Sequence, residues 1–204
     1  MSLDYTENFG KIKMLLNYRR LKTIHRCNNF LKINKEDVAQ HSYFTAILCM
    51  SIGDELNSKG FNVDMELLLR KALLHDTDEA ITSDIPYNVK NFSMEFKQEI
   101  NTVLSKLAEC AYKDTGMMSK YNKICSEAKQ GLEGEILDIA DMLELSIYCF
   151  EEIRMGNMFM RGLFDKSIYL VENKRIFKES DLVKDFVKFL VWASEKEIAQ
   201  LNAL

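Results

Sequence analysis

The chain has 204 residues, enough for one domain with a core that needs no staples. Hydrophobic residues make up 47% and charged residues 28%, and the net charge of −4 argues against a nucleic-acid polymer as partner, because phosphate contacts require a basic surface. The five cysteines (Cys27, Cys49, Cys110, Cys125 and Cys149) form no C-x-x-C pair and read as reduced thiols, and no apolar run nears the roughly 18–20 residues of a membrane span.

One proline and eight glycines leave little punctuation for strands, while frequent Leu, Lys, Glu, Met and Ala favour helices. Residues 1–8 are expected to be mobile. Across 5–23, Phe9, Ile12, Leu15, Leu16 and Tyr18 fall at spacings that predict one apolar helix face. A basic, loop-like stretch follows, from His25 to Lys35. Asp37 and Gln40 match a capping box, opening a helix that runs to about Ser58 and ends at Lys59-Gly60. Asp64 caps a third helix, Met65 to about Asp76, with Leu68, Ala72 and His75 on one inward stripe. Pro86 makes Thr82 to Tyr87 a turn or loop.

Further helices are expected from Glu95 to about Lys113, from Met117 to Gln130, and from Glu135 to Met155, the last closed by Gly156-Asn157. Residues 158–175 also read as helical. Ser180 caps a final helix with Leu182, Val183, Phe186, Leu190 and Ala193 as its apolar seam. No period-two alternation, internal repeat or linker interrupts this pattern, which predicts an all-α, single-domain helical bundle over 1–204.

Only three histidines occur: His25, His41 and His75. His75 and Asp76 stand side by side, diverging by about 100° if the helix is regular. At a helix end they can still converge on one ion if His41, from a separate helix, completes the cage. Asp141 lies in the apolar run Ile139-Ala140-Asp141-Met142-Leu143, where an unpaired carboxylate is costly to bury. Two imidazoles and two carboxylates suit Mn, Fe, Co, Ni or Zn better than Ca. Spacing alone does not specify this set. Asp141 also reads as a carboxylate bonded to backbone amides, Asp78 and Glu79 as acids opening a helix, and Arg19 and Arg20 as basic surface. There is no Walker loop and no G-x-G-x-x-G.

The order His41, His75-Asp76, Asp141 resembles the signature of the HD-domain metal-dependent phosphohydrolases, an all-helical superfamily. Arg26, Glu36 through Ser42, His75 through Glu79, Thr82-Ser83-Asp84-Ile85-Pro86 and Ala140-Asp141 follow one another at spacings similar to those of the bacterial 5′-deoxynucleotidases. Cys149-Phe150-Glu151-Glu152 followed by Gly156-Asn157 resembles that family too. The likeness covers roughly residues 12–158, leaving 159–204 as C-terminal helices.

The resemblance implies one HD-type domain and one divalent metal ion (Co, Mn, Ni, Fe or Zn) held by His41, His75, Asp76 and Asp141. It implies removal of the 5′-phosphate from (deoxy)nucleoside 5′-monophosphates, a metal-activated water attacking phosphorus with Glu79 as general acid/base. Glu79 stands at i+4 from His75, over the same helix face if the turn continues. Arg26 resembles the family's phosphate-orienting arginine, and Asp84 joins Arg26 and Glu79 in the catalytic set. The implied substrate contacts are Arg26, Cys27, His41, Asp76, Asp84, Ile85, Pro86, Tyr87 and Asp141, with Asp84 to Tyr87 touching sugar and base. Best-matched members carry a tryptophan where Cys27 stands, a ring that helps exclude ribonucleotides, so the preference for 2′-deoxy sugars loses its support here. The expected partners are a small-molecule nucleotide and a second copy in a homodimer, with no nucleic-acid polymer and no membrane. With no charged segment leading into an apolar one at the N-terminus, the expected location is cytoplasmic. Two other readings stay open: another HD hydrolase, acting on an alarmone pyrophosphate or a nucleotide phosphodiester, and a non-catalytic metal- and nucleotide-binding module.

Overall fold

In the computed structural model, which describes residues 5–90, 92–112 and 118–201, the regular elements are all helical. Helix α1 (Tyr5–Tyr18) passes into a 3₁₀ turn, Arg19–Thr23, and a loop leads to α2 (Val38–Ser58). Then come α3 (Met65–Leu74), the single turns α4 (Glu79–Thr82) and α5 (Tyr87–Lys90), α6 (Met94–Tyr112) and α7 (Met118–Ser126). The long α8 (Gly131–Arg154) is followed by α9 (Arg161–Glu172), α10 (Arg175–Glu179) and α11 (Asp181–Leu201). The expected all-α class is what the described residues form; their one pairing of extended backbone is an isolated bridge between His25 and Asp37. None of their helices is long and apolar enough to cross a membrane.

The core is built around α8, which packs against α2, α3, α9 and α11. It buries Ile136, Leu137, Ile139, Ala140, Leu143 and Ile153, as a helix surrounded by neighbours must. Against it lie Cys49, Ile52 and Leu56 of α2, Leu68 and Ala72 of α3, Phe164 and Val171 of α9, and Val183 and Leu190 of α11. Local chemistry fixes where the helices start. Asp37 Oδ1 accepts from the Gln40 amide at 2.9 Å while Gln40 Oε1 accepts from the Asp37 amide at 3.2 Å, the expected reciprocal cap. Asp64 accepts from the Leu67 amide at 3.0 Å.

Several boundaries and faces differ from expectation. Helix α3 ends at Leu74, not Asp76, and Thr82 and Tyr87 belong to α4 and α5, leaving 83–86 as loop. Helix α8 begins at Gly131 rather than Glu135. Gly134 lies so close to the preceding turn that a Cβ would sit 2.3 Å from the carbonyl carbon of Lys129. The stripe expected to pack on α1 is reversed: Phe9, Ile12, Leu15 and Leu16 are exposed, and Met14 points inward. Periodicity identifies an apolar face but not what covers it. Leu182 is likewise exposed, next to buried Val183. The mobility expected of residues 1–8 falls on a stretch of which 1–4 lie outside the described residues.

The start of α11 is tied to α2. Ser180 Oγ accepts from the Val183 amide at 3.1 Å and donates to Glu55, whose carboxylate also accepts from the Asp181 amide at 2.8 Å and sits 2.8 Å from Lys59 Nζ. Burial alone would raise the Glu55 pKa; the bonds from Lys59, Ser180 and the two amides of α11 outweigh it and lower it. A carboxyl held down in the fold stabilises above its unfolded pKa and loses that contribution as pH falls through its folded value. Glu55→Ala should therefore cost about 1–2 kcal/mol near neutral pH, the usual worth of a cap. Thermal melts should show the gap to wild type closing below about pH 4; an unchanged gap at acid pH would contradict this role.

Candidate functional site

The capping box that starts α2 puts His41 in its first turn, fully buried against α8. At the far end of α3 the helix gives way to a tight turn: the Thr77 amide donates to Leu74 O at 3.2 Å and the Glu79 amide to Asp76 O at 3.1 Å. His75 itself keeps helical backbone (φ −59°, ψ −32°), and the two side chains converge through their own reach: His75 Nε2 lies 3.2 Å from Asp76 Oδ2. Asp141 projects from α8 toward the same point. His41 Nε2 is 3.2 Å from His75 Nε2, 3.5 Å from Asp76 Oδ2 and 3.4 Å from Asp141 Oδ1. Four side chains from three segments thus present two nitrogens and two oxygens to one spot.

The donor chemistry fits a metal ion. His41 Nδ1 lies 2.6 Å from Glu144 Oε2, and His75 Nδ1 lies 2.8 Å from Ala72 O. A proton on each Nδ1 satisfies those outward acceptors and leaves both Nε2 lone pairs facing inward, the arrangement that orients metal-ligating histidines. Asp141 is similarly held from outside, its Oδ2 accepting from Lys129 Nζ at 2.6 Å. Burial alone would raise the carboxyl pKa values of Asp76 and Asp141, but the facing imidazoles, and Lys129 for Asp141, hold both low. Glu144 is lowered to about 2, burial being outweighed by His41 and Arg26. His41 rises to about 9: burial and Arg26 oppose its charge, and Glu144 and Asp76 more than compensate. Glu144 and Asp76 thus favour the protonated imidazole, and a cation held at Nε2 would compete with that proton.

Glu36 and Glu144 also approach His41, but Arg26 fills the space between them. Its Nη1 lies 2.7 Å from Glu144, 3.4 Å from Glu36 and against His41 Nδ1, and its Nη2 lies 3.8 Å from Asp141. Burial would lower its pKa; the carboxylates around it raise it instead. Arg26 also lines a cavity of about 300 Å³ whose wall includes Asp76, Asp141, Glu79, Asp84, Ile85, Pro86 and Cys27. Glu79 is buried, not a solvated helix opener. It accepts from Lys90 Nζ at 3.4 Å, and burial together with the Asp76 charge pushes it up to about 8 against the pull of Lys90. Asp84 Oδ2 accepts from the Cys27 amide at 3.1 Å, joining the two loops across the cavity. Cys27 (φ +53°) and Ser83 (φ +61°) both hold left-handed backbone beside that bond. The backbone of Tyr87 opens α5, but its side chain lies outside the described residues.

A family model for YfbR-like 5′-deoxynucleotidases matches residues 13–192. The chain belongs to this family. It is 30% identical over 178 residues to the 5′-deoxynucleotidase plu3092 of Photorhabdus laumondii, covering 84% of this chain and 87% of that one. It is 29% identical over 143 residues to the 5′-deoxynucleotidase YfbR of Escherichia coli, covering 68% and 71%. Among solved structures, an HD-domain phosphohydrolase from Listeria innocua matches with a TM-score of 0.78 at 25% identity, over 94% of this chain and 96% of that one. The cyanophage S-2L HD phosphohydrolase DatZ, bound to dA and one catalytic Zn²⁺ ion, shares the fold with a TM-score of 0.56 at 18% identity, over 89% and 96%. This YfbR-like chain is a metal-dependent nucleotide phosphohydrolase with the all-α HD-domain fold.

Sequence reading passed over several residues of this YfbR-like site. Glu144 carried a signal: it follows Asp141 at i+3, on the same face of α8, in an otherwise apolar run. Lys129 and Lys90 carried none, being ordinary lysines in polar stretches whose placement depends on tertiary packing. The wall contributed by α9 (Leu163, Lys166, Leu170) was equally silent. If Glu144 orients His41 toward a metal, Glu144→Gln should weaken Mn²⁺ or Co²⁺ binding by about 10–100-fold. Calorimetric titration of the ion-free protein measures this directly; equal affinities would contradict it.

Proposed function

We propose that the chain removes the 5′-phosphate from nucleoside 5′-monophosphates, deoxynucleotides among them, with one divalent transition-metal ion held by His41, His75, Asp76 and Asp141. The observation that carries this reading is the convergence of two imidazole nitrogens and two carboxylate oxygens beside a cavity that also holds Arg26 and Glu79. The donor set suits Co, Mn, Ni, Fe or Zn, and DatZ, of the same fold, carries a catalytic Zn²⁺. When bound, such an ion supplies a Lewis acid that acidifies a neighbouring water and offsets phosphate charge.

The chain's own residues do the rest. Arg26, already aimed by Glu36 and Glu144, offers its planar fork to the phosphate. Glu79, with a pKa near working pH, takes a proton from the attacking water and gives one to the leaving 5′-oxygen. Asp84, Ile85, Pro86 and Tyr87 meet the sugar and base, with Cys27 opposite Asp84. A cavity of about 300 Å³ is at the small end of ligand sites, which favours a monophosphate over an alarmone or a dinucleotide. Cys27 puts no ring against the sugar, so ribonucleotides are turned over as well. The chain works as a single HD-type domain in the cytoplasm and as a homodimer, for which the exposed apolar residues Ile12, Leu15 and Leu16 of α1 offer a surface.

With Mn²⁺ or Co²⁺, phosphate release from dAMP or dTMP should fall about 10²–10⁴-fold in Glu79→Gln while ion binding is kept. A well-metallated wild type that releases no phosphate from any nucleoside monophosphate would sink the reading. The pH profile offers a second check. Lys90 lowers the Glu79 pKa, so Lys90→Met should raise it further and move the acidic limb of kcat, where the base becomes protonated, to higher pH. A limb that stays in place or moves down would exclude Glu79 as its source.

A further inference from the structure

The family-like stretch Glu151-Glu152 with Gly156-Asn157 takes no part in the metal cluster, yet it holds one wall of the cavity. Residues 26–36 form a loop whose base is closed by backbone bonds: the Arg26 amide donates to Glu36 O at 3.1 Å and the Val38 amide to Ile24 O at 2.9 Å. Its first half places Arg26, Cys27, Asn29 and Phe30 on the cavity. Apolar burial does little for its tip, because Leu31 and Ile33 are 71% and 57% exposed.

Polar groups from the end of α8 hold the tip instead. Glu152 is fully buried; Oε2 accepts from the Ile33 amide at 2.8 Å and Oε1 from the Asn34 amide at 2.6 Å. Asn157 Nδ2 donates to Glu152 Oε2 at 2.6 Å and to Leu31 O at 2.7 Å. The Tyr148 hydroxyl donates to Asn34 O at 2.8 Å. A buried carboxylate is tolerable when N–H groups take up its lone pairs, and here three do. Glu152 therefore stakes the tip while the backbone bridge stakes the base. Arg26, Cys27 and Phe30 are held between these two points.

We propose that Glu152 is a positioning residue: by fixing the tip of the 26–36 loop it sets where Arg26, Cys27 and Phe30 stand, and so how tightly the nucleotide is held. The inference rests on the nucleotide reading above. It belongs to binding, not to the chemical step, because no atom of Glu152 reaches the cavity lining. A glutamine at 152 keeps the shape but offers one acceptor oxygen where two are used, and turns an N–H donor toward an amide.

The test compares hydrogen exchange over residues 27–36 with dAMP binding, both on Mn²⁺-loaded protein silenced by Glu79→Gln. Adding Glu152→Gln should speed exchange in that loop and weaken dAMP binding about tenfold, within the range expected when a positioning contact slips, with Mn²⁺ affinity unchanged. Tyr148→Phe, which leaves the buried charge alone, should move both readouts the same way by less. Faster exchange with unchanged dAMP affinity in both variants would overturn the positioning role. So would weaker binding that appears only together with lost Mn²⁺ affinity. Normal dAMP binding by an unsilenced protein that releases no phosphate would cost the hydrolytic reading alone.

Discussion

Gathering partly buried Asp76 and Asp141 and buried Glu144 around one imidazole is tolerable only if positive charge lies among them, since carboxylates withdrawn from water without a partner are costly. Helices α2 and α8 and the turn after α3 bring those groups together, and cationic groups face the cluster from several sides. Arg26 reaches in between Glu144 and Asp141, Lys129 caps Asp141, and His41 takes up a proton. A divalent ion held as proposed by His41, His75, Asp76 and Asp141 would compete with the proton on His41, which would couple ion binding to proton release.

The interruptions of the helices serve this arrangement as much as the helices do. Helix α3 ends at Leu74, and just beyond it His75 and Asp76 both reach His41 Nε2. The same turn restarts as α4 with Glu79 buried beside Asp76, where low polarity and like charge push its pKa upward. The early start of α8 has a consequence as well. Gly134 permits the turn carrying Lys129 to press against the helix, and Lys129 then reaches Asp141. The candidate site joins helix residues such as His41 and Asp141 to short loops pinned to the bundle, as is common where a scaffold must place reactive groups accurately.

How much of this was legible in the sequence depends on the range of the interaction. Caps at Asp37, Asp64 and Ser180 are local, and reading them from side-chain chemistry worked. The helical class followed from periodicity and composition. The pairing of His41, His75, Asp76 and Asp141 did not, because nothing local relates residues so far apart; only their order along the chain, matched to a family, brought them together. Amphipathic pattern misjudged α1 and Leu182, since an apolar stripe says nothing of what covers it. The contacts of Lys90, Lys129 and Glu152 were invisible for a related reason, although the stretch around Glu152 carries a family likeness. Their partners are backbone groups or carboxylates brought near by packing, and a lysine or glutamate in a helix carries no mark of that.

The central claim, one ion held by nitrogen and oxygen donors, is tested most directly by titrating ion-free protein with Co²⁺ and recording its visible absorption. One equivalent should bind, giving the weak ligand-field bands of imidazole and carboxylate coordination, with stoichiometric binding lost in Asp141→Asn. Absence of saturable binding would contradict the claim, and so would an intense near-ultraviolet thiolate band pointing to Cys27 on the cavity wall.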